Sequence, residues 1–345
     1  LSCDEPIEGA MRRLPAVFGA VLLGSCWAHA EPGRNWQAAG PDEKPWSASI
    51  AREVQEFAVE QKPTAIMVVR DDDIVASFGD LGAKVNVRSV RKSLLSALYG
   101  IAVEDGRIDL DSTLAALEID DIPPALSPVE KTATVRQLLT ARSGVYHLAA
   151  YETPETKRLR PARESHPPGS FWYYNNWDFN ALGTIYQRSV DDVFASFEKR
   201  IARPIGMEDF SAYDGLYLGE SSSVHRAYLF RMSARDLARF GLLFLNGGRW
   251  NGAQLIPAHW VTESTARLSD TEQPERGYGY LWWTYAKPSS GLSAFFANGF
   301  GGQLVVVVPS KRLVLVQLVD LTANPHGIRS QRVLDLVSRI SASVP

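Results

Sequence analysis

The sequence predicts an α/β (α+β) protein in which one sheet-bearing domain is interrupted by a helix-rich insertion. Three observations carry this. Strand-like, β-branched runs lie near both ends, at Thr64 to Val69 and Ile74 to Phe78, then at Gln303 to Val308 and Leu313 to Val319. The middle of the chain is dominated by helical spacing. No internal repeat or low-complexity tract breaks that pattern. The expected division is a leader over 1–30, a discontinuous α/β domain from 31–110 and 245–345, and a helix-rich domain over 111–244.

The leader is read from Met11-Arg12-Arg13, an apolar core from Leu14 to Gly24, and Ala28-His29-Ala30, the order of a secretory signal with a small-x-small cleavage site. Its apolar run is too short to span a bilayer. Leu23-Gly24-Ser25-Cys26 also resembles a lipoprotein box, in which Cys26 would carry a lipid anchor, and both processing routes stay open. Either way the protein is expected in the periplasm or secreted. Cys3 and Cys26 are the two cysteines, so cleavage after Ala30 would leave no thiol for a disulfide or a metal.

Residues 31–47 form a Pro- and Trp-punctuated entry, followed by helical spacing from Ile50 to Val59. The strands Thr64 to Val69 and Ile74 to Phe78 form a hairpin about Asp71-Asp72-Asp73, whose carboxylates are expected in solvent rather than on a metal. Lys84 to Val87 reads as extended. A buried helix then runs through Leu94, Leu95, Ala97, Leu98, Ile101 and Ala102 and stops at Asp105-Gly106. A short helix is expected at Thr134 to Thr140, ending at Ser143-Gly144, and a long loop over 150–168. Helices follow at Phe179 to Arg188, Val193 to Ala202 and Ser233 to Leu245, the last capped by Ser233 and ended by Gly247-Gly248. Gly279 to Thr284 reads as a strand, and Arg329 to Ile340 as a closing amphipathic helix.

At 45% hydrophobic and 22% charged residues, the composition is that of a soluble globular protein. A net charge of -3 gives no electrostatic reason to expect nucleic acid or an anionic membrane as a partner.

The chemistry concentrates at Ser89-Val90-Arg91-Lys92, an S-x-x-K tetrad that opens the buried helix. Lys92 lies one turn after Ser89 and on the same face. A lysine kept neutral by burial can act as base toward a serine hydroxyl. Ser196-Phe197-Glu198-Lys199 has the same spacing but lies among Asp191, Asp192 and Arg200, where its lysine would stay solvated. Two more stretches carry polar groups. Tyr173-Tyr174-Asn175-Asn176 precedes a helix, where a phenol can relay a proton and an amide can hold a substrate or the lysine. Ala297-Asn298-Gly299-Phe300-Gly301-Gly302 enters a strand and permits close approach to backbone N–H groups.

In that order, S-x-x-K, Tyr-x-Asn and small-x-Gly form the signature of serine β-lactamases and penicillin-binding proteins. The chain resembles the class C β-lactamase-related serine hydrolases, which include esterases, D-amino-acid peptidases and 6-aminohexanoate (nylon) oligomer hydrolases. The resemblance spans about residues 45–345 and includes Thr134 to Leu139 with Ser143-Gly144, and Ala234 to Gly241. It implies a β-lactamase/transpeptidase-like fold, an antiparallel sheet flanked by helices with a helical insertion. The family interval from the motif tyrosine to Leu182-Gly183 selects Tyr174 and Asn176 over the frame at Tyr173.

The resemblance implies that Ser89 is the nucleophile, Lys92 its base and Tyr174 the proton relay. Asn176, Gly299, Phe300 and Gly301 would contact substrate, with the backbone N–H groups of Ser89 and Phe300 as oxyanion hole. No cofactor or metal is expected, and the partner is a small-molecule ester, amide or peptide. Ala297 departs from the family, which usually places Lys or His there to hold a substrate carboxylate. The expectation is therefore an esterase or small-amide hydrolase, with a D-Ala peptidase, a weak β-lactamase and a non-catalytic envelope binder as alternatives. The chain has no G-x-S-x-G, H-E-x-x-H or C-x-x-C motif, and a Ser-His route would have to recruit His147 or His166 from loops.

Overall fold

The structure, a computed structural model, describes Trp36 and residues 45–344. The predicted leader, both cysteines and most of the entry segment lie outside them.

The elements run α1 (Pro45–Gln61), β1 (Ala65–Arg70), β2 (Asp73–Gly79), β3 (Val85–Asn86), α2 (Arg91–Glu104), α3 (Val135–Leu139), α4 (Pro154–Leu159), α5 (Asn176–Ser189) and α6 (Val193–Phe197). Next come β4 (Gly215–Glu220), β5 (Ser223–Met232), α7 (Ala234–Leu245), β6 (Arg249–Trp250), β7 (Ala253–Gln254), α8 (Ala258–Ser264), β8 (Ser269–Asp270) and β9 (Arg276–Tyr278). The chain closes with β10 (Trp283–Lys287), β11 (Leu292–Gly299), β12 (Gln303–Val308), β13 (Leu313–Leu318) and α9 (Ser330–Ser343).

Eight strands form one sheet in the order β2-β1-β13-β12-β11-β10-β9-β8. Every neighbouring pair is antiparallel, with Met67 opposite Val316 and Val306 opposite Leu315 in the centre. The expected antiparallel sheet flanked by helices is thus what the chain forms. The β-branched runs of β12 and β13 are buried at every position because both faces are covered. Ile66, Val68, Val306 and Leu315 pack with Val54, Phe57, Leu336 and Val337 from α1 and α9. Met67, Val69, Val305 and Val314 pack on the other side with Leu94 and Leu98 of α2 and Leu237 and Phe240 of α7. Gly241 lets α7 come this close: a Cβ there would lie 2.5 Å from a Val314 methyl.

Three segments differ from expectation. Gly279 to Trp282 is the turn between β9 and β10 rather than a strand, with Leu281 at φ +63. Its aromatic content reflects burial, since Tyr280 and Trp282 are both in the core, and burial is what strand propensity largely measures. The 150–168 loop contains α4, which Thr153 caps with Pro154 at its first turn. Nothing in the hydrophobic pattern predicts the β4–β5 hairpin: β5 buries Ser223 and His225 while Val224 faces out, so its alternation does not follow hydrophobicity.

Candidate active site

The serine turn is fixed before the helix begins. Val87 N–H donates to the Phe230 carbonyl at 3.0 Å, and Arg88 N–H to Asn86 Oδ1 at 2.9 Å. Arg88 then takes φ +53, and a 3₁₀ turn, Arg88–Val90, carries Ser89 into α2. The expected helix start at Ser89 is therefore this turn, with α-helical geometry from Arg91. α2 ends as the sequence predicts, with Gly106 at φ +67.

Lys92 is 1% exposed, although it carries an amine. Its Nζ lies 2.8 Å from Ser89 Oγ, 2.8 Å from Tyr174 Oη and 3.1 Å from Asn176 Oδ1, over the rings of Tyr174 and Phe179. Burial, with the adjacent Arg91 charge as second cause, holds its pKa well below the ordinary lysine value. A neutral amine fits these three contacts: it donates to Asn176 and Tyr174 and turns its lone pair to the serine hydroxyl. Burial pushes the Tyr174 phenol up to about 12, against the lowering effect of its Ser89 hydrogen bond.

The start of α5 positions the second pair. Asn175 caps the helix by accepting from Trp177 N–H at 3.2 Å. Asn176 follows with its amide oriented from both ends, Oδ1 toward Lys92 and Nδ2 donating to the Tyr151 carbonyl at 2.8 Å. Tyr173 points elsewhere, its hydroxyl donating to the Thr156 carbonyl at 2.8 Å, so Tyr174 alone of the two reaches Lys92.

A cavity of about 650 Å³ opens over these groups. Ser89, Tyr174 and Asn176 line it, with Arg88, Tyr151, Trp283, Asn298 and Phe300 among its other walls. Phe300 is 65% exposed at the mouth, and Trp283 stacks on Tyr174 with centroids 5.3 Å apart. Gly299 and Gly301 are absent from the lining. A Cβ on Gly299 would meet the Val87 carbonyl oxygen at 2.4 Å, so that glycine sets the end of β11 against the serine turn. Gly301, at φ +81, packs on Leu321. Ala297 is buried opposite Val305 and lends the cavity no charge.

The sequence pattern gives Arg88, Tyr151, Trp283 and Asn298 no role, yet all four line the cavity. Tyr151 lies in the loop expected to rim a site, and its hydroxyl accepts from Arg88 Nη1 at 2.6 Å and Asn86 Nδ2 at 3.2 Å. Nothing local in the sequence announces that contact.

The histidines serve other networks. His147 is buried, with its ring nitrogens 2.9 Å from the Leu148 carbonyl and 3.2 Å from that of Ile122. It also lies 3.4 Å from Asp121, whose Oδ2 accepts from Trp177 Nε1 and Ser223 Oγ. His166 stacks on Phe171. Lys199 of the second S-x-x-K is exposed. Among the described residues no cluster of three His, Cys, Asp or Glu could hold a metal, and no helix is long and apolar enough to cross a membrane.

A family model described as Beta-lactamase matches residues 50–337. The 6-aminohexanoate-dimer hydrolase of Paenarthrobacter ureafaciens is 23% identical over 315 residues, covering 81% of this chain and 79% of that protein. Among solved structures, a putative 6-aminohexanoate-dimer hydrolase from Bacillus anthracis superposes with a TM-score of 0.67 at 20% identity, over 90% of this chain and 88% of the other. A structure of SurE superposes at 0.64 and 20% identity, over 86% and 76%. At these identities the structural likeness speaks for the fold.

Proposed function

The chain belongs to the Beta-lactamase family of hydrolases, and from that premise we propose that it is a serine hydrolase that cleaves an ester or small amide through an acyl-enzyme on Ser89. The observation that carries this is the buried Lys92 amine, within hydrogen-bond reach of the Ser89 hydroxyl and the Tyr174 phenol at once.

Ser89 Oγ attacks the substrate carbonyl carbon as its proton passes to Lys92 Nζ. The resulting oxyanion faces the backbone N–H groups of Ser89 and Phe300, a donor pair of a kind worth roughly 10²–10³ in rate per donor. Tyr174 is still a phenol at neutral pH. It gives its proton to the departing alkoxide or amine and regains one from Lys92. The acyl-enzyme is then cut by water, whose proton returns through the same groups, releasing a carboxylic acid and restoring Ser89. Proton transfer of this kind contributes ~10²–10⁴-fold.

The uncharged Ala297 favours neutral esters and amides over substrates held by a carboxylate. The names of the relatives point to amide cleavage as well. A periplasmic or secreted location rests on the leader pattern alone.

A fluorophosphonate probe tests the reading directly. It should label the wild type and leave Ser89→Ala unlabelled, and an unlabelled wild type would favour a non-catalytic binder. Turnover of short-chain p-nitrophenyl esters, nitrocefin and a D-Ala-D-Ala peptide then separates esterase, β-lactamase and peptidase.

A further inference from the structure

Arg91 sits inside the S-x-x-K tetrad and is 0% exposed. One nitrogen, Nη2, donates to Asn180 Oδ1 at 3.0 Å, and the guanidinium lies 4.3 Å from the centre of the Tyr228 ring. Nε and Nη1 make no well-formed hydrogen bond. Among the described residues no carboxylate pairs with it. A buried cation without a counter-ion is unfavourable, and substitution by an apolar side chain of similar volume would ordinarily relieve the fold. Asn180, which holds Arg91, lies one turn along α5 from Asn176, which holds Lys92, so the guanidinium is anchored beside an amine that must be uncharged to work, and that place offers the reason it is tolerated.

We infer that Arg91 is a positioning residue of the catalytic centre, whose fixed positive charge disfavours a second positive charge on Lys92. The inference rests on the serine-hydrolase reading above, since it acts only through Lys92.

Of the charged groups on the cavity wall, Arg88 donates to Tyr151, Glu152 pairs with Arg160, Glu220 accepts from Tyr151 N–H and Glu155 lies in the first turn of α4; none of them forms an ion pair with Arg91. Lys92 faces Ser89 from the preceding turn, and Tyr174, Asn176 and Phe179 from the start of α5. Tyr278 of β9 packs edge-on against Tyr174, and Tyr228 of β5 lies on Arg91. Burial raises the pKa of all three tyrosines, so they stay uncharged at neutral pH. Asp178 on α5 is the carboxyl group nearest in sequence to Asn176. It accepts from Ser143 Oγ and Asn175 Nδ2, and burial raises its pKa above the carboxylate value, which works against a charge there. The Arg91 charge lowers the Lys92 pKa as the second cause after burial itself.

The experiment is the pH dependence of kcat/KM for a p-nitrophenyl ester in wild type, Arg91→Gln, Arg91→Lys and Asn180→Asp. Loss of the charge in Arg91→Gln should move the acid limb up by about one pH unit, the lower end of what a neighbouring charge does. Activity then falls roughly 10-fold at pH below the limb and returns to near wild type above it. Arg91→Lys should keep the wild-type limb. Asn180→Asp retains the guanidinium but places a carboxylate against it, and should shift the limb in the same direction as Arg91→Gln. That variant decides the matter if Arg91→Gln does not fold.

A uniform loss at every pH, with the acid limb unmoved in both Arg91→Gln and Asn180→Asp, would show that Arg91 only packs and would overturn the inference. Failure of the underlying reading looks different: wild-type turnover would then survive Ser89→Ala, or be absent altogether.

Discussion

The Lys92 amine and the Tyr174 phenol oxygen lie 2.8 Å apart, although 82 positions separate them in the chain. Their meeting on Ser89 makes the first expectation simple. Ser89→Ala and Lys92→Ala should each reduce ester turnover by at least about 10³-fold, as loss of a nucleophile or its base does elsewhere. Ser196→Ala should leave it unchanged, because Lys199 beside it is exposed. Stopped-flow or steady-state release of p-nitrophenol checks this, and equal loss from Ser196→Ala would refute the assignment.

The depressed Lys92 pKa also leaves a mark on stability. The folded-state pKa of Lys92 is depressed, while in the unfolded chain it is about 10.4. Between those two values the unfolded chain binds one more proton than the folded one, so this residue makes stability rise with pH across that window. Lys92→Met removes the effect. Thermal melts should therefore show wild type gaining on Lys92→Met as pH is raised toward about 10. Parallel curves would mean that the amine is charged in the folded state.

Asp121 is a buried acceptor hub, taking hydrogen bonds from Trp177 Nε1 at 2.7 Å, Ser223 Oγ at 2.5 Å and the N–H groups of Ile122 and Val224 at 2.8 Å each. Asp121→Ala leaves these donors without a partner, at about 1–3 kcal/mol for each buried one left unmet. A net loss of about 3 kcal/mol in urea unfolding is expected. Asp121 itself does not line the cavity, so the loss should show in stability before it shows in the KM of the folded enzyme.

Gly299→Ala puts a methyl 2.4 Å from the Val87 carbonyl oxygen and 2.8 Å from Gln303 Cβ. Backbone must move at the serine turn, at a cost of about 1–3 kcal/mol. Ester turnover should fall more than tenfold while the fluorophosphonate label on Ser89 slows. Unchanged kinetics would show that the strand end and the serine turn can part freely.

Legibility followed distance along the chain. Ser89 and Lys92 are one helical turn apart, so spacing alone brings them together, and burial of α2 was visible in Leu94 to Ala102. The match of Tyr174 to Lys92 needs the family interval, because Tyr173 with Asn175 and Tyr174 with Asn176 both fit Tyr-x-Asn. Gly279 to Trp282 misled because Tyr280 and Trp282 are core residues in a turn, tied down where Ser93 Oγ donates to the Leu281 carbonyl at 2.8 Å. The β4–β5 hairpin was hidden because Ser223 serves the Asp121 hub rather than an apolar face. Arg91 was in plain view inside the tetrad, but a spacer position gives no hint of whether a guanidinium turns inward.

The pairing of β1 with β13, Ala65 opposite Leu318, has a consequence for biogenesis. The strand made early in synthesis waits for one made much later, and until it arrives β1 and β12 each present an open edge. A nascent chain released before Leu313 would hold Ser89, Lys92 and Tyr174 yet lack the strand that closes the sheet behind them. Such fragments should be aggregation-prone and inert, which confines activity to chains that extend through β13.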